Sequence, residues 1–416
     1  MLSQHLLSRA EERLRHLPVQ IELWNGRILK FSDLPKVHIG VRSRDALLTL
    51  LKPTMGRLAA DYVQQKIDIE GSVRDILDLG EQLCVAGQDI TASGRPGWRW
   101  FSRHSKKRDR AAISHHYDVS NDFYGLWLDQ RRVYSCAYFN TWDESLDQAQ
   151  EHKLEHICRK LNLQENERFL DIGCGWGALI VYAAENFGVR ATGITLSQKQ
   201  FDYATELVRT RGLESRVDVR LLDYRDLPNE PMFEKISSVG MFEHVGRKNL
   251  GQYFAKIHSL LVPGGAVLNH GITAARPHTE GLGNGIKEFI DRYVFPGGEL
   301  VHVAEVIDCM AGQALECWDA ESLRPHYAET LWRWVERLDA HAEQAKALVG
   351  EQRYRTWRIY MAGSAHAFAR GWMSIFQLLA FKPHADGSVD YPATRAHVYA
   401  GQTGSKIPVA KYKETA

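Results

Sequence analysis

The sequence lacks the patterns that mark metal sites, disulfide frameworks and membrane spans. Its six cysteines are scattered, without a Cys-x-x-Cys pair or a His/Cys cluster at ligand spacing, so neither a zinc site nor a disulfide framework is predicted. Nowhere do 18 apolar residues follow one another, which leaves only peripheral contact with a bilayer open. Residues 1–18 carry five Arg or Glu residues and no secretory-signal pattern, so we expect a surface helix there.

A large excess of charge of either sign is also absent. The net charge of +1 and the charged fraction of 25% argue against a nucleic-acid-binding protein and against a disordered tail. In the segment 95–110, however, seven Lys or Arg residues stand against the single acidic Asp109, beside Trp98, Trp100 and Phe101. A charge run is most often a solvated linker, but the neighbouring aromatic residues favour docking on an anionic membrane surface.

The length of 416 residues suits two domains. Short β-like runs and helical patterns alternate in the first part, and from Glu151 onward strand-like and helix-like segments alternate regularly, which predicts a doubly wound parallel sheet. The sequence after His270 is Trp-rich and is expected to be helical through Phe381. The predicted divisions are a small α+β domain over 1–95, a basic-aromatic linker over 96–110, an α/β domain with helical insertions over 111–382 and a tail over 383–416.

A glycine-rich turn follows the predicted strand Arg168–Ile172. The segment Phe169–Gly177 reads FLDIGCGWG, and its glycines let the backbone approach a ligand closely at the start of a helix. A nicotinamide or flavin site would require an acidic residue at the end of the next strand, but Gly193–Ser197 reads GITLS. The glycine spacing also departs from the dinucleotide fingerprint. The turn therefore indicates a different nucleotide-like cofactor.

Five motifs, in this order along the chain, resemble those of the cyclopropane fatty acid synthases. They are YSCAYF at Tyr134–Phe139, LDIGCGWG at Leu170–Gly177, GITLS at Gly193–Ser197, DYRDL at Asp223–Leu227 and GMFEHVG at Gly240–Gly246. The resemblance extends over His115–Phe381, and Asp68–Gly71 is similar to a stretch of the family's lipid-handling lobe. It implies a Rossmann-like class I methyltransferase domain, preceded by a small lipid-facing domain.

The resemblance also implies which residues bind S-adenosylmethionine. They are Tyr134, Ser135, Asp171, Gly173, Gly175, Trp176, Gly177, Thr195, Leu196, Gln200 and Tyr224. We expect Tyr134 and Ser135 to hold the amino-acid end, Thr195 and Gln200 to bind the ribose hydroxyls, and Tyr224 to pack against adenine.

When an alkene attacks a sulfonium methyl group, a carbocation forms, and it must lose a proton to close the ring. The site must exclude water, because water would quench this cation. By the resemblance, the base is a bound bicarbonate, held by Cys136, Glu243, His270, the backbone of Ile272 and Tyr327. Taken singly, a Cys, His or Tyr more often completes a core. Relatives also carry a Cys where this chain has Ser364, so no catalytic thiol is expected there.

The resemblance thus predicts a cytoplasmic enzyme at the inner face of the membrane that cyclopropanates cis-unsaturated phospholipid acyl chains. A homodimer would add avidity through duplicated weak contacts with the membrane, although no motif in the sequence specifies one. Two other catalytic functions remain open, the formation of methyl- or methylene-branched acyl chains and the methylation of a small amine. A non-catalytic lipid carrier is the alternative from another class.

The basic-aromatic linker generates the first testable prediction. Replacing Lys106, Lys107 and Arg108 together by Gln should weaken binding to anionic vesicles, because each cation near such a surface contributes about 1 kcal/mol at most. Rising salt should have the same effect, since screening acts over about 8–10 Å. Sedimentation with vesicles across a salt series measures this, and equal binding of variant and wild type would leave the segment a solvated linker.

Overall fold

The computed structural model describes residues 14–51, 53–84, 120–277, 282–295 and 298–400. The linker predicted over 96–110, most of the predicted N-terminal helix and the tail from residue 401 lie outside the described residues. None of the described helices is long and apolar enough to cross a membrane.

The N-terminal part contains a four-stranded sheet with the order β2-β1-β3-β4. Its elements are β1 (Val19–Glu22), β2 (Ile28–Lys30), β3 (Val37–Val41), α1 (Arg44–Leu51), α2 (Met55–Val63), β4 (Ile67–Glu70) and α3 (Val73–Cys84). In β3, Val37, Ile39 and Val41 are buried while His38 is exposed, as expected when one face of a sheet packs on the core. These elements agree with the predicted α+β character.

A second sheet forms the centre of the remaining chain, with the order β11-β12-β9-β8-β5-β6-β7 and with β10 beside β9. Its strands are β5 (Arg168–Ile172), β6 (Arg190–Thr195), β7 (Val217–Leu221), β8 (Phe233–Val239), β9 (Leu261–Ala274), β10 (Val301–His302), β11 (Glu316–Ser322) and β12 (Met373–Phe381). Strands β5 to β9 pair in parallel. This arrangement confirms the predicted Rossmann-like α/β fold.

The expectation of helix throughout the Trp-rich region was wrong at three places, where the strands β10, β11 and β12 form. Strand β12 lies antiparallel between β9 and β11, so the sheet ends in an antiparallel pair. The segment Met373–Phe381 is almost continuously apolar and buried, and such a run has no period that distinguishes a buried strand from a helix. Tertiary pairing with β9 decides the outcome.

Helices cover both faces of the central sheet and extend beyond it. They are α4 (Asn121–Gly125), α5 (Leu146–Lys160), α6 (Ala178–Phe187), α7 (Gln198–Thr210), α8 (Leu250–Leu260), α9 (Ile286–Tyr293), α10 (Val303–Ala311), α11 (Arg324–Ala340), α12 (Ala342–Val349), α13 (Glu351–Ala369) and α14 (Ala396–Tyr399). Trp127, Trp334 and Tyr124 are fully buried. The Trp-rich composition therefore builds a core among these helices.

The N-terminal sheet unit packs directly on the added helices. A Cβ atom on Gly56 of α2 would lie 1.8 Å from the carbonyl oxygen of Gly285, so only glycine permits this approach. Arg355 on α13 forms an ion pair with Asp68 at 2.7 Å. A nearby cluster of Asp78, Glu81 and His366 has a spacing that a cation would accept, but Arg370 pairs with both carboxylates, so we assign it to ion pairing between α3 and α13.

Candidate active site

A cavity of about 830 Å³ lies beyond the carboxyl ends of the parallel strands, where α/β sheets bind ligands. Ten of the eleven residues predicted for the cofactor line it: Tyr134, Ser135, Asp171, Gly173, Gly175, Trp176, Thr195, Leu196, Gln200 and Tyr224. Gly177 does not line the cavity. It precedes α6 with φ +89°, and a Cβ atom there would lie 3.0 Å from the Ala204 side chain. Its contribution is therefore the close packing of α6 on α7.

The glycine-rich turn is shaped by its contacts with the next strand. The N–H groups of Gly173 and Cys174 both donate to the carbonyl oxygen of Ile194 at 3.0 Å. Gly175 has φ +55°, and a Cβ atom built on it meets no atom within 4 Å. The space beside this backbone is thus open toward the cavity, as a closely approaching ligand requires.

Residues predicted to contact the ribose and adenine lie near one another around this cavity. The Thr195 hydroxyl donates to the Gln200 side-chain oxygen at 2.8 Å, and both side chains are buried. The Tyr224 ring lies edge-on to Tyr253, with centroids 5.4 Å apart. Their individual roles toward a ligand stay predictions.

A buried lysine that sequence reasoning missed also lines this cavity. The Lys153 ammonium group donates to the Ser135 hydroxyl at 2.9 Å, and the residue is only 2% exposed. Burial lowers the pKa of Lys153 to about 8, while Asp129, Cys136 and Asp171 act in the opposite direction. Its signal in the sequence was a cation on the buried face of α5, between Gln150 and Leu154.

A second cavity, of about 150 Å³, adjoins the first and brings the predicted catalytic residues together. Cys136, Glu243, His270, Ile272 and Tyr327 all line it. Both cavities are lined by Tyr134, Ser135, Val239, Gly240 and His244. The five predicted catalytic residues, which come from four separate segments, therefore meet beside the cofactor-sized space.

Glu243 follows β8 on a short helical turn and is held by the backbone of β9. Its Oε1 atom accepts a hydrogen bond from the Ile272 N–H at 2.7 Å, so that N–H serves Glu243 in this arrangement. Its Oε2 atom is buried and has no partner within the described part of the chain. Burial raises the pKa of Glu243 to about 7, although the Ile272 hydrogen bond acts to lower it.

Position 271, between His270 and Ile272, requires glycine for a steric reason. A Cβ atom on Gly271 would lie 2.0 Å from the Phe242 ring and 3.1 Å from the Glu243 carboxylate. Glycine therefore lets the turn that carries Glu243 lie against β9.

The other three residues differ in the contacts that they make. The Nε2 atom of His270 is buried without a partner in the described ranges, and burial together with Lys153 holds the pKa of this imidazole well below its usual value. Burial raises the pKa of the Cys136 thiol, which donates to the Ala137 carbonyl oxygen at 3.2 Å. Tyr327 packs against Phe368. Cys136 is thus a neutral buried thiol.

A third, apolar cavity of about 100 Å³ lies between the N-terminal sheet unit and the helices α9 and α13. The lining that it shares with the second cavity consists of Leu282, Ile290, Tyr360, Ser364 and Met373. Tyr360 hydrogen bonds with the side chains of Tyr134 and Ser364. Three adjoining spaces thus extend from the carboxyl edge of the sheet to the N-terminal unit.

Comparisons with known proteins agree with this geometry. A family model described as mycolic acid cyclopropane synthetase matches residues 104–378, and one described as a domain of unknown function matches residues 6–82. A probable fatty acid methyltransferase from Pseudomonas putida is 44% identical over 384 residues, covering 92% of this chain and 97% of the relative. Cyclopropane mycolic acid synthase 1 from Mycobacterium tuberculosis is 36% identical over 281 residues, covering 65% and 97%.

Solved structures give the same result. A cyclopropane synthase from Mycobacterium tuberculosis has a TM-score of 0.62 at 33% identity, covering 66% of this chain and 98% of its own. A mycolic acid cyclopropane synthase in complex with SAH and CTAB has the same TM-score and coverage at 36% identity. Coclaurine N-methyltransferase, at 21% identity and a TM-score of 0.60 over 81% of this chain and 100% of its own, shows the fold alone.

The buried Glu243 carboxyl generates a prediction about stability. Its pKa is raised to about 7 in the folded state from 4.5, so the folded protein binds more protons between these values and loses stability as pH rises through this range. Glu243→Gln keeps the oxygen that accepts from Ile272 without the charge. Between pH 5 and pH 8, the free energy of unfolding of the variant minus that of wild type should therefore rise by on the order of 2–3 kcal/mol.

Denaturant unfolding of both proteins at pH 5, 6, 7 and 8 measures this difference. Glu230→Gln removes an exposed carboxylate and serves as the matched control. The difference in its free energy of unfolding from that of wild type should not change with pH. A Glu243→Gln difference that is also independent of pH would mean that this carboxyl is not held protonated.

Proposed function

The chain belongs to the mycolic acid cyclopropane synthetase family of S-adenosylmethionine-dependent methyltransferases, and from this premise we propose that it cyclopropanates cis double bonds of phospholipid acyl chains. The observation that carries the proposal is the succession of three adjoining cavities. The first has the volume and the glycine-rich turn for a nucleotide-like cofactor, the second has buried polar atoms, and the third is apolar. An acyl chain in the last two places its double bond beside the cofactor.

The residues of the first cavity fit S-adenosylmethionine, which supplies an electrophilic methyl group. Open space beside Gly175 accommodates close backbone approach. Ser135, fixed by Lys153, lies where the first and second cavities meet and suits the amino-acid end of the cofactor. A buried cation at this point favours a carboxylate ligand. The site thereby orients the methyl donor toward the second cavity.

The second cavity suits a cationic transition state and the proton transfer that follows. Burial of the His270 side chain and of the Glu243 Oε2 atom indicates a space from which bulk water is excluded, so a carbocation formed there would escape quenching. Their partnerless atoms fit a small oxyanion, and bicarbonate bound there would supply the base. A protonated Glu243 donates to such an anion, and the raised pKa keeps this form populated near neutral pH.

Delivery of the substrate is part of the same proposal. The basic-aromatic linker would hold the enzyme on anionic lipid at the inner face of the membrane, and the third cavity would receive apolar chain through the N-terminal unit. A homodimer would strengthen such an attachment.

Branched-chain methyl transfer is the second candidate, favoured by the similarity to a probable fatty acid methyltransferase. It uses the same cofactor and acyl sites and differs in how the cation collapses. A small amine substrate would leave the apolar third cavity without a purpose. A non-catalytic carrier would have no use for the glycine-rich cavity.

Lipid mass spectrometry tests the proposal with a matched pair of glycine variants. Cells that produce wild type should contain phospholipids that gain the mass of one CH₂ group and lose alkene proton signals. Gly175→Val should abolish this product and reduce S-adenosylmethionine affinity at least tenfold, because the side chain enters the open space beside the turn. Gly212→Val places the same side chain at a similar positive φ in an exposed turn, where a Cβ atom also meets no atom within 4 Å. This control should keep both the lipid product and the affinity for S-adenosylmethionine.

Three outcomes separate the alternatives. A product that gains the CH₂ mass with a branched carbon skeleton supports the second candidate, whereas unchanged lipids and a methylated amine overturn the lipid proposal. Equal turnover in decarbonated and bicarbonate-supplemented buffer would contradict the role of bicarbonate as the base, but it would not contradict methyl transfer.

A further inference from the structure

We propose that Gln377 is a positioning residue that fixes the tautomer of His270, so that Nε2 presents its hydrogen to the second cavity. This inference rests on the proposed function and assigns a role to a residue outside the five predicted catalytic positions. Its basis is the register of the antiparallel strand β12.

Gln377 stands opposite His270 in the pairing of β12 with β9, and opposite Glu321 in the pairing with β11. Directly opposed residues of antiparallel strands place their side chains on the same face of the sheet. The Gln377 Nε2 atom lies 3.4 Å from the His270 Nδ1 atom. Both side chains are buried, with exposures of 0% and 1%, so water does not compete for this contact.

The chemistry of the two groups determines the direction of the hydrogen bond. With the Gln377 amide oriented as in this structure, its NH₂ group faces Nδ1 and can only donate, so Nδ1 accepts and carries no hydrogen. A neutral imidazole has one N–H, which then lies on Nε2. Burial and the cations of Lys153 and Lys160 on α5 keep this imidazole neutral, and the opposing carboxylate of Glu321 is engaged by Lys160 and His156.

The tautomer decides what the cavity offers to a ligand. His270 and Glu243 both line the second cavity, and the His270 Nε2 and Glu243 Oε2 atoms have no partners among the residues that the structure describes. With hydrogen on Nε2, His270 donates to an anion or a polarised oxygen there. The reverse tautomer would present a lone pair and repel the same anion.

Nitrogen NMR of uniformly ¹⁵N-histidine-labelled full-length protein tests the assignment, with the His270 signal identified by its loss in His270→Asn. Wild type should show the Nε2–H tautomer. Gln377→Met removes the donor at similar size and should yield a tautomer mixture, with kcat lowered at least about tenfold and with KM for S-adenosylmethionine changed less than twofold. Gln377→Glu replaces the donor by an acceptor and should reverse the tautomer.

Thr273→Val is the matched control, because it removes from the neighbouring strand β9 a buried polar atom that has no partner among the described residues, and it should leave the tautomer and kcat unchanged. A wild-type Nδ1–H tautomer overturns the proposal even where a variant fails to fold. An unchanged tautomer or an unchanged kcat in Gln377→Met also overturns it. If no unsaturated lipid is methylated while Gln377→Met shifts the tautomer as expected, the proposed function fails and the positioning of His270 by Gln377 stands.

Discussion

Burying a polar atom without a hydrogen-bond partner destabilises the folded state by on the order of 1–3 kcal/mol. Glu243 Oε2 and His270 Nε2 both bear this cost beside the cofactor-sized cavity. The surrounding structure keeps them in place. The Ile272 N–H holds the other oxygen of Glu243, Gly271 makes room for the turn that carries it, and Gln377 contacts the other nitrogen of His270. The fold thus leaves two buried polar atoms beside this cavity available to a ligand.

The antiparallel end of the central sheet has a direct consequence for this arrangement. Strand β12 covers the edge of β9 that would otherwise be open, and it brings Gln377 beside His270. The same strand begins at Met373, which lines both the second and the third cavity. The chain between β11 and β12 forms α11, α12 and α13, and Ile359, Tyr360 and Ser364 of α13 line the third cavity together with residues of the N-terminal unit. Topology beyond the parallel core therefore shapes the acyl-binding side of the proposed site.

Much of the site could be predicted because its residues stand in local motifs. The glycine-rich turn after β5 needs only a strand, positive φ values and a helix start, and all three are visible in the sequence. Glu243 lies just beyond the carboxyl end of β8, and His270 lies within β9 opposite Val239, the last residue of β8, at the edge where an α/β sheet places ligand-binding groups. Five of five predicted catalytic positions line one cavity.

The missed features depend on contacts between distant segments. Lys153 is read as part of an amphipathic helix until its ammonium group is seen to meet Ser135. Gln377 lies in an apolar run without strand periodicity, so neither its strand nor its partner across β9 follows from local pattern. The Ile272 backbone was predicted to hold a bound anion, and that its N–H donates to Glu243 is visible only in the structure. Each of these features depends on which distant segments come into contact, and a local sequence pattern does not specify such contacts.

The most direct measurement is a crystal structure of the protein with S-adenosylhomocysteine and a phospholipid that carries a cis-unsaturated acyl chain. The account predicts the nucleoside in the first cavity and the double bond in the second, within reach of Glu243 and His270, with apolar chain continuing past Tyr360 into the third. An acyl chain bound elsewhere, with the second cavity filled by side chains or by water alone, would contradict it.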